Sequence, residues 1–341
     1  MSLKEIAHRA GTSVSTVSRV LNQPDYKCKN PELEARIWAA AQEISYTPNT
    51  AAQTLKSGAP QIKTTPLTFD IFLTRFPSLS QDLFFSELFE SLKKELLRQQ
   101  CVPGKFLTLP EVTSMLKEKS SFSVTDTHAD GIILLGKCPA ELISTLQNHY
   151  HNIVGIDRNP TNFDYDEVIC SGTTAAFTAM NYLISLGHKK IAYIGDCTYE
   201  SRYVGYYQTL LTHHIPFDYR HVHPSSQTEE EGARIMNDIL KEEDPPTAIF
   251  CANDCTALGV LRSLNKCRRK NYLPSVIAID NIRKSAKTSP MLTTIDIPKQ
   301  ELAHFALLLL LDQQKKAHKE CVRIELPCRL IERESCTYAP C

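Results

Sequence analysis

The chain has 341 residues, of which 42% are hydrophobic and 22% are charged, with 38 basic and 38 acidic side chains. This length accommodates two or three folding units, and the composition is that of a globular protein with a large core. The balanced charge excludes a strongly basic or acidic protein, although residues 1–63 carry eight basic against five acidic side chains.

The amino terminus lacks the charged stretch and apolar run of a secretory signal peptide. The most apolar segment, 306–311, is shorter than the roughly 20 residues needed to cross a bilayer. The chain has 12 cysteines but no Cys-x-x-Cys pair, and no His pair has zinc spacing. We therefore expect a cytoplasmic protein with reduced thiols, no membrane contact, no metal and no cofactor.

The first two predicted helices are short and are separated by a turn that contains Gly11. Ser2 and Glu5 form a capping box at the start of the first helix, and Ser13 can cap a second helix over 14–21. Two short helices joined in this way form the helix-turn-helix pattern, whose second helix enters the major groove of DNA. The spacing alone also fits a small helical domain that never touches DNA.

A third helix is predicted to begin at Asn30-Pro31-Glu32, because Asn is a favoured N-cap and Pro is favoured at the first helical position. The apolar residues that follow at helical spacing are Leu33, Ile37, Ala40, Ala41 and Ile44. They would cover the first two helices and complete an all-α headpiece.

Several motifs in this region resemble the headpiece of the LacI/GalR family of bacterial transcriptional regulators. They are Leu3-Lys4-Glu5-Ile6-Ala7, Ala10-Gly11, Ser15-Thr16-Val17-Ser18-Arg19-Val20-Leu21-Asn22 and Tyr46-Thr47-Pro48-Asn49. The resemblance implies a sequence-specific DNA-binding regulator, expected to repress a carbohydrate-utilisation operon. It also implies a homodimer on a pseudo-palindromic double-stranded DNA operator, since two-fold protein symmetry imposes two-fold symmetry on the site.

The resemblance assigns roles by position. Base reading in the major groove falls on Val14, Ser15 and Arg19. The remaining expected DNA contacts are Ser13, Thr16, Ser18, Asn22, Tyr46, Asn49, Ala52, Leu55 and Lys56. Residues 49–56 match the hinge helix, in which Leu55 would be the wedge between the central base pairs. The alternative for Leu55 is a core position in an ordinary short helix.

The loop over 24–29 departs from the lactose repressor, because it is longer and resembles that of galactose-type members. Phosphate contacts of the loop are therefore not transferred to this chain. Tyr26, Lys27 and Lys29 could reach the DNA backbone or could equally lie in solvent.

Beyond residue 66, short apolar strands alternate with helical stretches. The predicted strands are 69–73, 131–135, 153–156, 191–194, 248–251 and 276–279. The predicted helices are 83–99, 140–149, 174–186, 228–240, 256–265 and 300–313. Such alternation predicts parallel sheets covered on both faces, here arranged as two doubly wound lobes. We expect a headpiece with its hinge over 1–57, a linker over 58–66 and a larger domain over 67–341.

Polar residues follow several predicted strands, at the sheet edge where ligands of open α/β sheets bind. They are Asp157, Asn253, Asp254, Asp280 and Asn281. Carboxylate and amide groups that converge in one cleft suit a hydroxyl-rich ligand, although each of them taken singly is more often a helix cap or turn former.

The larger domain also resembles the LacI/GalR regulatory domain, which is similar to periplasmic sugar-binding proteins. The motifs are Asp130-Gly131-Ile132-Ile133, Leu186-Gly187-His188-Lys189-Lys190-Ile191-Ala192-Tyr193-Ile194-Gly195, Pro246-Thr247-Ala248-Ile249-Phe250-Cys251-Ala252-Asn253-Asp254 and Leu292-Thr293-Thr294-Ile295. By position, the effector contacts are Asp157, Arg202, Asn253 and Asp280. The expected fold is an all-α helix-turn-helix headpiece plus an α/β two-lobed, type I periplasmic-binding-protein-like domain for effector binding and dimerisation.

Two departures leave the effector open. Cys170-Ser171-Gly172 stands where the family usually has Asp-Asn or Asn-Asp, and Ala278-Ile279-Asp280-Asn281 replaces Gly-Phe-Asn-Asp. A sugar is the expected effector, with a purine or a sugar phosphate as the alternative. A small-molecule-binding protein without DNA function and an enzyme on the same scaffold are the competing classes. The chain shows no Gly-x-Ser-x-Gly, Walker-type loop or His-Glu-x-x-His motif.

Overall fold

The computed structural model describes residues 3–22, 26, 28, 30–44, 46, 66–74, 78–79, 82–117, 129–157, 159, 161, 165–198, 200–267 and 272–340, without the side chains of residues 22, 42 and 115–117. The expected hinge helix and nearly all of the expected linker lie outside these ranges. No helix within them is both long enough and apolar enough to span a membrane.

The headpiece contains the three predicted helices, α1 (Leu3–Ala10), α2 (Val14–Asn22) and α3 (Pro31–Glu43). Gly11 occupies the turn between α1 and α2 at φ +64°, a left-handed conformation that favours glycine. The side chain of Asn30 caps α3, accepting hydrogen bonds from the backbone amides of Glu32 and Leu33 at 3.0 and 3.1 Å. These local signals explain why the turn after α1 and the start of α3 could be predicted from the sequence.

One compact apolar cluster holds the headpiece together. Its buried members are Ile6, Ala7, Ala10, Val17, Val20, Leu21, Ile37, Trp38, Ala40, Ala41, Ile44 and Tyr46. Four of the five apolar positions predicted on α3 are buried here, and Leu33 packs against the cluster. Trp38, the single Trp of the chain, is an additional core residue that the predicted face did not include.

The larger domain is built from strands and helices in alternation. The strands are β1 (Thr68–Leu73), β2 (Val102–Thr108), β3 (Gly131–Leu135), β4 (Ile153–Asp157), β5 (Asp166–Ile169), β6 (Ile191–Gly195), β7 (Val222–Pro224), β8 (Ala248–Cys251), β9 (Ser275–Asp280), β10 (Thr293–Asp296), β11 (Arg323–Glu325) and β12 (Arg329–Ile331). The helices are α4 (Leu83–Arg98), α5 (Leu109–Lys117), α6 (Ala140–His149), α7 (Gly172–Ser185), α8 (Ser201–Thr212), α9 (Glu229–Ile239), α10 (Asp254–Lys266) and α11 (Lys299–Gln314).

The described strands form two six-stranded sheets, one for each lobe. The N-lobe sheet has the order β11-β5-β4-β3-β1-β2, and all of its strand pairs are parallel. The C-lobe sheet has the order β12-β10-β9-β8-β6-β7, in which the β10–β12 pair is antiparallel and the other described pairs are parallel. The prediction of two doubly wound lobes is confirmed.

Three segments of the described chain cross between the lobes, and we call them the hinge segments. Residues 170–171 connect β5 to α7, residues 297–298 connect β10 to α11, and residues 326–328 connect β11 to β12. Each crossing leaves the carboxyl end of a strand. The carboxyl edges of both sheets therefore lie at the junction between the lobes, where polar strand-end residues can meet.

Candidate DNA interface and effector cleft

The outer face of α2 is the candidate DNA interface. Val17, Val20 and Leu21 are buried against α1 and α3, which turns the opposite side of α2 outward. On that side, Ser15 and Arg19 are exposed, and Val14 is 39% exposed although it is apolar. The structure thus groups the three expected base readers on one accessible face of a short helix, which is the geometry that major-groove reading requires.

Ser13 has a structural role in addition to its expected DNA contact. Its Oγ accepts a hydrogen bond from the backbone amide of Thr16 at 3.2 Å and lies 2.9 Å from the Thr16 hydroxyl and 2.8 Å from the Ser15 hydroxyl. Ser13 is therefore the N-cap of α2. Thr16 and Ser18 are half-buried at the edges of the same exposed face.

Arg19 lies beside the loop that follows α2. Its guanidinium carbon is 5.9 Å from the centroid of the Tyr26 ring, within the range of a cation–π contact. This contact gives Tyr26 a position next to the candidate interface.

The other expected DNA contacts fall into two groups. Tyr46 is only 8% exposed and packs in the headpiece core, with its backbone amide bonded to the carbonyl of Ala41 at 2.9 Å. Asn22 lies at the end of α2, but its side chain is outside the described residues, as are the whole of Asn49, Ala52, Leu55 and Lys56. Their roles on DNA stay predictions.

The second site is the junction of the lobes. Asp157 ends β4 of the N-lobe, while Asn253 follows β8 and Asp280 ends β9 of the C-lobe. Arg202 is the second residue of α8, which follows β6. The four expected effector contacts therefore all lie at carboxyl edges of the sheets, as the strand-end argument predicts. Their roles in binding stay predictions.

Direct hydrogen bonds join the two lobes at this cleft. The side-chain oxygen of Asn159, beyond β4, accepts hydrogen bonds from the backbone amide and hydroxyl of Ser201 in α8, at 2.9 and 2.5 Å. Glu87 of α4 accepts a hydrogen bond from the backbone amide of Arg283 at 2.7 Å. An N-lobe side chain thus holds a C-lobe backbone amide at two places across the junction.

Arg202 is completely enclosed. Its guanidinium donates to both carboxylate oxygens of Glu200 at 2.7 and 2.9 Å, to the carbonyl of Ala252 at 2.7 Å and to the side-chain oxygen of Gln227 at 3.2 Å. Burial lowers the pKa of Arg202, but the Glu200 carboxylate outweighs burial and raises it, so the guanidinium stays charged. Arg202 is therefore part of a buried ion pair at the start of α8, beside the lobe junction.

The strand ends of the C-lobe form a second buried network. The side-chain oxygen of Asn253 caps α10, accepting hydrogen bonds from the backbone amide of Thr256 at 3.0 Å and from the Thr256 hydroxyl at 2.6 Å. The side-chain nitrogen of Asn253 donates to the carbonyl of Gln227 at 3.1 Å.

Burial, and then the charge of Asp280, raise the pKa of Asp254 to about 8. At neutral pH this pair of carboxyl groups carries less than its full charge.

The backbone at the end of β9 has an uncommon conformation. Asp280 and Asn281 have φ values of +128° and +47°, which L-residues rarely adopt. The carbonyls of both residues accept hydrogen bonds from Lys299 Nζ, at 2.6 and 3.1 Å. Local strain of this kind clusters at binding sites, because the surroundings must enforce it.

The sequence did not identify Glu200, Gln227 and Lys299, whose side chains bond to the predicted effector residues or to their neighbours. Glu200 caps α8 and neutralises Arg202, and Lys299 lies 3.6 Å from Glu87 Oε2 and 5.4 Å from the centroid of the Phe84 ring. Asn159 and Ser201 join the lobes and were also missed. A carboxylate two positions before Arg202 was a usable signal for Glu200, whereas the others depend on tertiary contacts.

Histidines and cysteines of the described residues form no group of three or more, with or without acidic residues, that could hold a metal ion. His213 is engaged by a protein group, since its Nε2 lies 2.7 Å from the side-chain oxygen of Asn181.

Comparison with known sequences agrees with this architecture. Residues 2–49 match the DNA-binding domain described as "Bacterial regulatory proteins, lacI family", and residues 180–336 match a periplasmic binding protein-like domain. The transcriptional repressor PurR of Klebsiella pneumoniae strain 342 is 29% identical over 350 residues, which cover 99% of this chain and 98% of that protein. PurR of Photorhabdus laumondii is also 29% identical over 350 residues.

Solved structures show the same fold over almost the whole chain. A complex of the transcriptional regulator CelR with cellobiose has a TM-score of 0.69 at 22% identity and covers 98% of this chain and 99% of that one. The Lac repressor bound to ONPG has a TM-score of 0.65 at 21% identity with the same coverage. A headpiece with an exposed recognition helix joined to a two-lobed binding domain defines a DNA-binding transcriptional regulator with an effector domain. The chain thus combines a DNA-binding domain of the lacI family with a periplasmic binding protein-like domain, and the relatives matched over its full length are PurR transcriptional repressors.

Proposed function

We propose that this chain is a homodimeric repressor that binds a pseudo-palindromic operator through α2 and is controlled by a small effector between its lobes. The observation that carries the proposal is the exposed face of α2, where Val14, Ser15 and Arg19 lie together on a helix whose other side is buried. Such a face can make base contacts without unfolding the headpiece. The family relationship supplies the dimer and the repressor role.

In the proposed mechanism, the effector acts on the angle between the lobes. Closure is stabilised by the Asn159–Ser201 and Glu87–Arg283 contacts, so a ligand that strengthens or replaces them shifts the balance between open and closed forms. This shift requires different affinities for the two forms, typically worth about 1–3 kcal/mol. The segment 49–56, expected to be a hinge helix, would pass the change to the operator.

We further propose that the effector is a neutral, hydroxyl-rich molecule. The charge of Arg202 is already matched by Glu200, and the Asp280 carboxylate adds negative charge nearby. This balance disfavours a sugar phosphate, because Lys299, a cation at the end of β9, already donates to two backbone carbonyls and lies 3.6 Å from Glu87 Oε2. The solved relatives crystallised with cellobiose and with ribose support a sugar. A purine is the remaining alternative.

The proposal places the protein in the cytoplasm, where its operator would be, and assigns it no catalytic role. The buried carboxylates and the guanidinium of the cleft are used in caps and ion pairs that support binding. Turnover of a bound sugar by the purified protein would contradict this part of the proposal.

The test of DNA recognition starts with DNA selected from a random pool by the full-length protein. We expect Arg19→Ala to weaken binding to that DNA by about 1–3 kcal/mol, roughly 5-fold to 150-fold, because a bidentate base contact is lost. The measurement is an equilibrium titration at fixed salt concentration. Arg36→Ala is the matched control, since it removes the same charge from an exposed position on α3.

Equal losses for the two variants would mean that Arg19 contributes only general electrostatic attraction, and no loss for either would contradict the DNA interface on α2. Effector identity is tested separately by a thermal-shift screen of sugars, sugar phosphates and nucleobases. A rise in the unfolding midpoint with a neutral sugar supports the proposal, and a rise only with sugar phosphates or nucleobases overturns it.

A further inference from the structure

Two cysteines lie on two different hinge segments. Cys170 directly follows β5, in the first crossing between the lobes, and Cys328 precedes β12, in the crossing after β11. The two segments run side by side, because β5 and β11 are paired in parallel and the amide of Leu326 donates to the carbonyl of Ile169 at 2.8 Å. Both cysteines are present as thiols in this structure.

The two thiols are also in contact. Cys170 is part of the core cluster against which Cys328 packs, and the hydroxyl of Thr178 on α7 lies 3.9 Å from Cys328 Sγ. Cys170 is fully buried, whereas Cys328 is half-buried between the exposed residues Pro327 and Arg329. The Cys328 thiol is thus accessible to a small reagent, whereas the Cys170 thiol is buried.

We propose that Cys170 and Cys328 form an oxidation site at the hinge, in which a peroxide converts the two thiols to a disulfide that ties two crossing segments together. This oxidation does not depend on the proposed repressor function, although Cys170 lies at the carboxyl edge of the N-lobe sheet, beside the lobe junction. Its structural consequence is a restrained angle between the N-lobe and the C-lobe, because two of the described crossings can no longer move separately.

The chemistry needs a peroxide as the oxidant. The Cys328 thiolate attacks one peroxide oxygen, the O–O bond breaks, and Cys328 becomes a sulfenic acid while hydroxide or alkoxide leaves. The Cys170 sulfur then attacks the sulfenic sulfur, the S–S bond forms, and the hydroxyl leaves as water with the proton of Cys170. Two electrons pass from the two thiols to the peroxide, and a dithiol reductant restores them.

The surroundings of Cys328 favour the first step. The hydrogen bond from Cys170 lowers the pKa of Cys328, burial opposes this effect, and a hydrogen bond from Thr178 adds to it, with a result of about 7. At neutral pH the thiolate is then far more abundant than for an ordinary thiol, although its nucleophilicity is lower. The larger thiolate fraction favours attack on peroxide by Cys328 over attack by an unperturbed cysteine.

The test is treatment of the full-length protein with hydrogen peroxide, followed by thiol titration and peptide mass spectrometry under non-reducing conditions. We expect the early loss of two thiols per chain and a linked pair of peptides that contain Cys170 and Cys328. Cys328→Ser should abolish the linkage, and Cys170→Ser should leave Cys328 as a sulfenic acid that dimedone traps. Cys321→Ser is the matched control, since Cys321 is an exposed cysteine on the same terminal stretch and its loss should leave the linkage intact.

Oxidation of Cys321 without any Cys170–Cys328 linkage would overturn the proposal, as would linkage of Cys328 to a different cysteine. Restraint of the hinge is tested separately, by thermal unfolding. The oxidised wild-type protein should unfold at a higher temperature than the reduced one, and the two single variants should lack this shift. An unchanged midpoint in the fully linked protein would contradict the restraint.

Discussion

The headpiece and the effector cleft present their polar groups in opposite ways. On α2, Ser15 and Arg19 face outward, ready for an external partner. At the lobe junction, Arg202, Asn253 and Asp254 are buried and bonded to other protein groups. The difference indicates that DNA can dock on a preformed surface, whereas an effector must exchange contacts with an internal network. An internal network of this kind can couple ligand binding to a change of shape.

The largest effect is expected from removal of Glu200, which tests whether the Arg202 network is internal. Glu200→Ala leaves the Arg202 guanidinium buried without its carboxylate, and we expect the free energy of unfolding to fall by about 3–5 kcal/mol. Chemical denaturation of the purified variant measures the loss. Asp218→Ala is the control, because it removes a carboxylate from the exposed pair with Arg220 and should cost little. Equally small losses of unfolding free energy in both variants would show that the Arg202–Glu200 pair is no more sheltered from solvent than the exposed pair.

A second test uses the pH dependence of stability. Because the pKa of Asp254 is raised to about 8, the folded protein retains a proton that the unfolded chain releases above about pH 4. Its contribution to stability is full below that pH and is lost as the pH rises towards 8, with a slope of up to about 1.4 kcal/mol per pH unit. Asp254→Asn should flatten the profile between pH 5 and 8. An identical slope in wild type and variant would disprove the burial argument.

The smallest expected effect concerns the headpiece and separates two roles of Ser13. Ser13→Ala removes the cap of α2 and should cost about 1 kcal/mol of headpiece stability. Ser13→Gly should cost only about a few tenths of a kcal/mol. Both variants lose the hydroxyl that was expected to contact phosphate. If both weaken DNA binding equally, the phosphate contact dominates, and if only Ser13→Ala weakens it, capping is the main role. Circular dichroism melts and DNA titrations measure the two properties.

The sequence predicted the headpiece well because its signals are local. Ser13, Gly11 and Asn30 mark helix ends through contacts with residues at most four positions away. The strands over 131–135 and 248–251 were also predicted with the observed bounds, since a short, wholly apolar run between polar segments is distinctive.

Other elements could not be predicted in the same way. Strand β2 includes Pro103 and Gly104, and β11 and β12 have only three residues each with polar side chains among them. They are strands because their neighbours in the sheets supply hydrogen-bond partners. In the cleft, strand-end positions were predictable, but the pairing of Arg202 with Glu200 and the interlobe contact of Asn159 depend on the tertiary fold.

The central claim is that the cleft controls the headpiece. The most direct measurement is the affinity of the full-length protein for its selected DNA, with and without the ligand that the thermal-shift screen identifies. We expect a change of roughly 5-fold to 150-fold in either direction, which corresponds to about 1–3 kcal/mol of coupling. An unchanged DNA affinity under saturating ligand would contradict it.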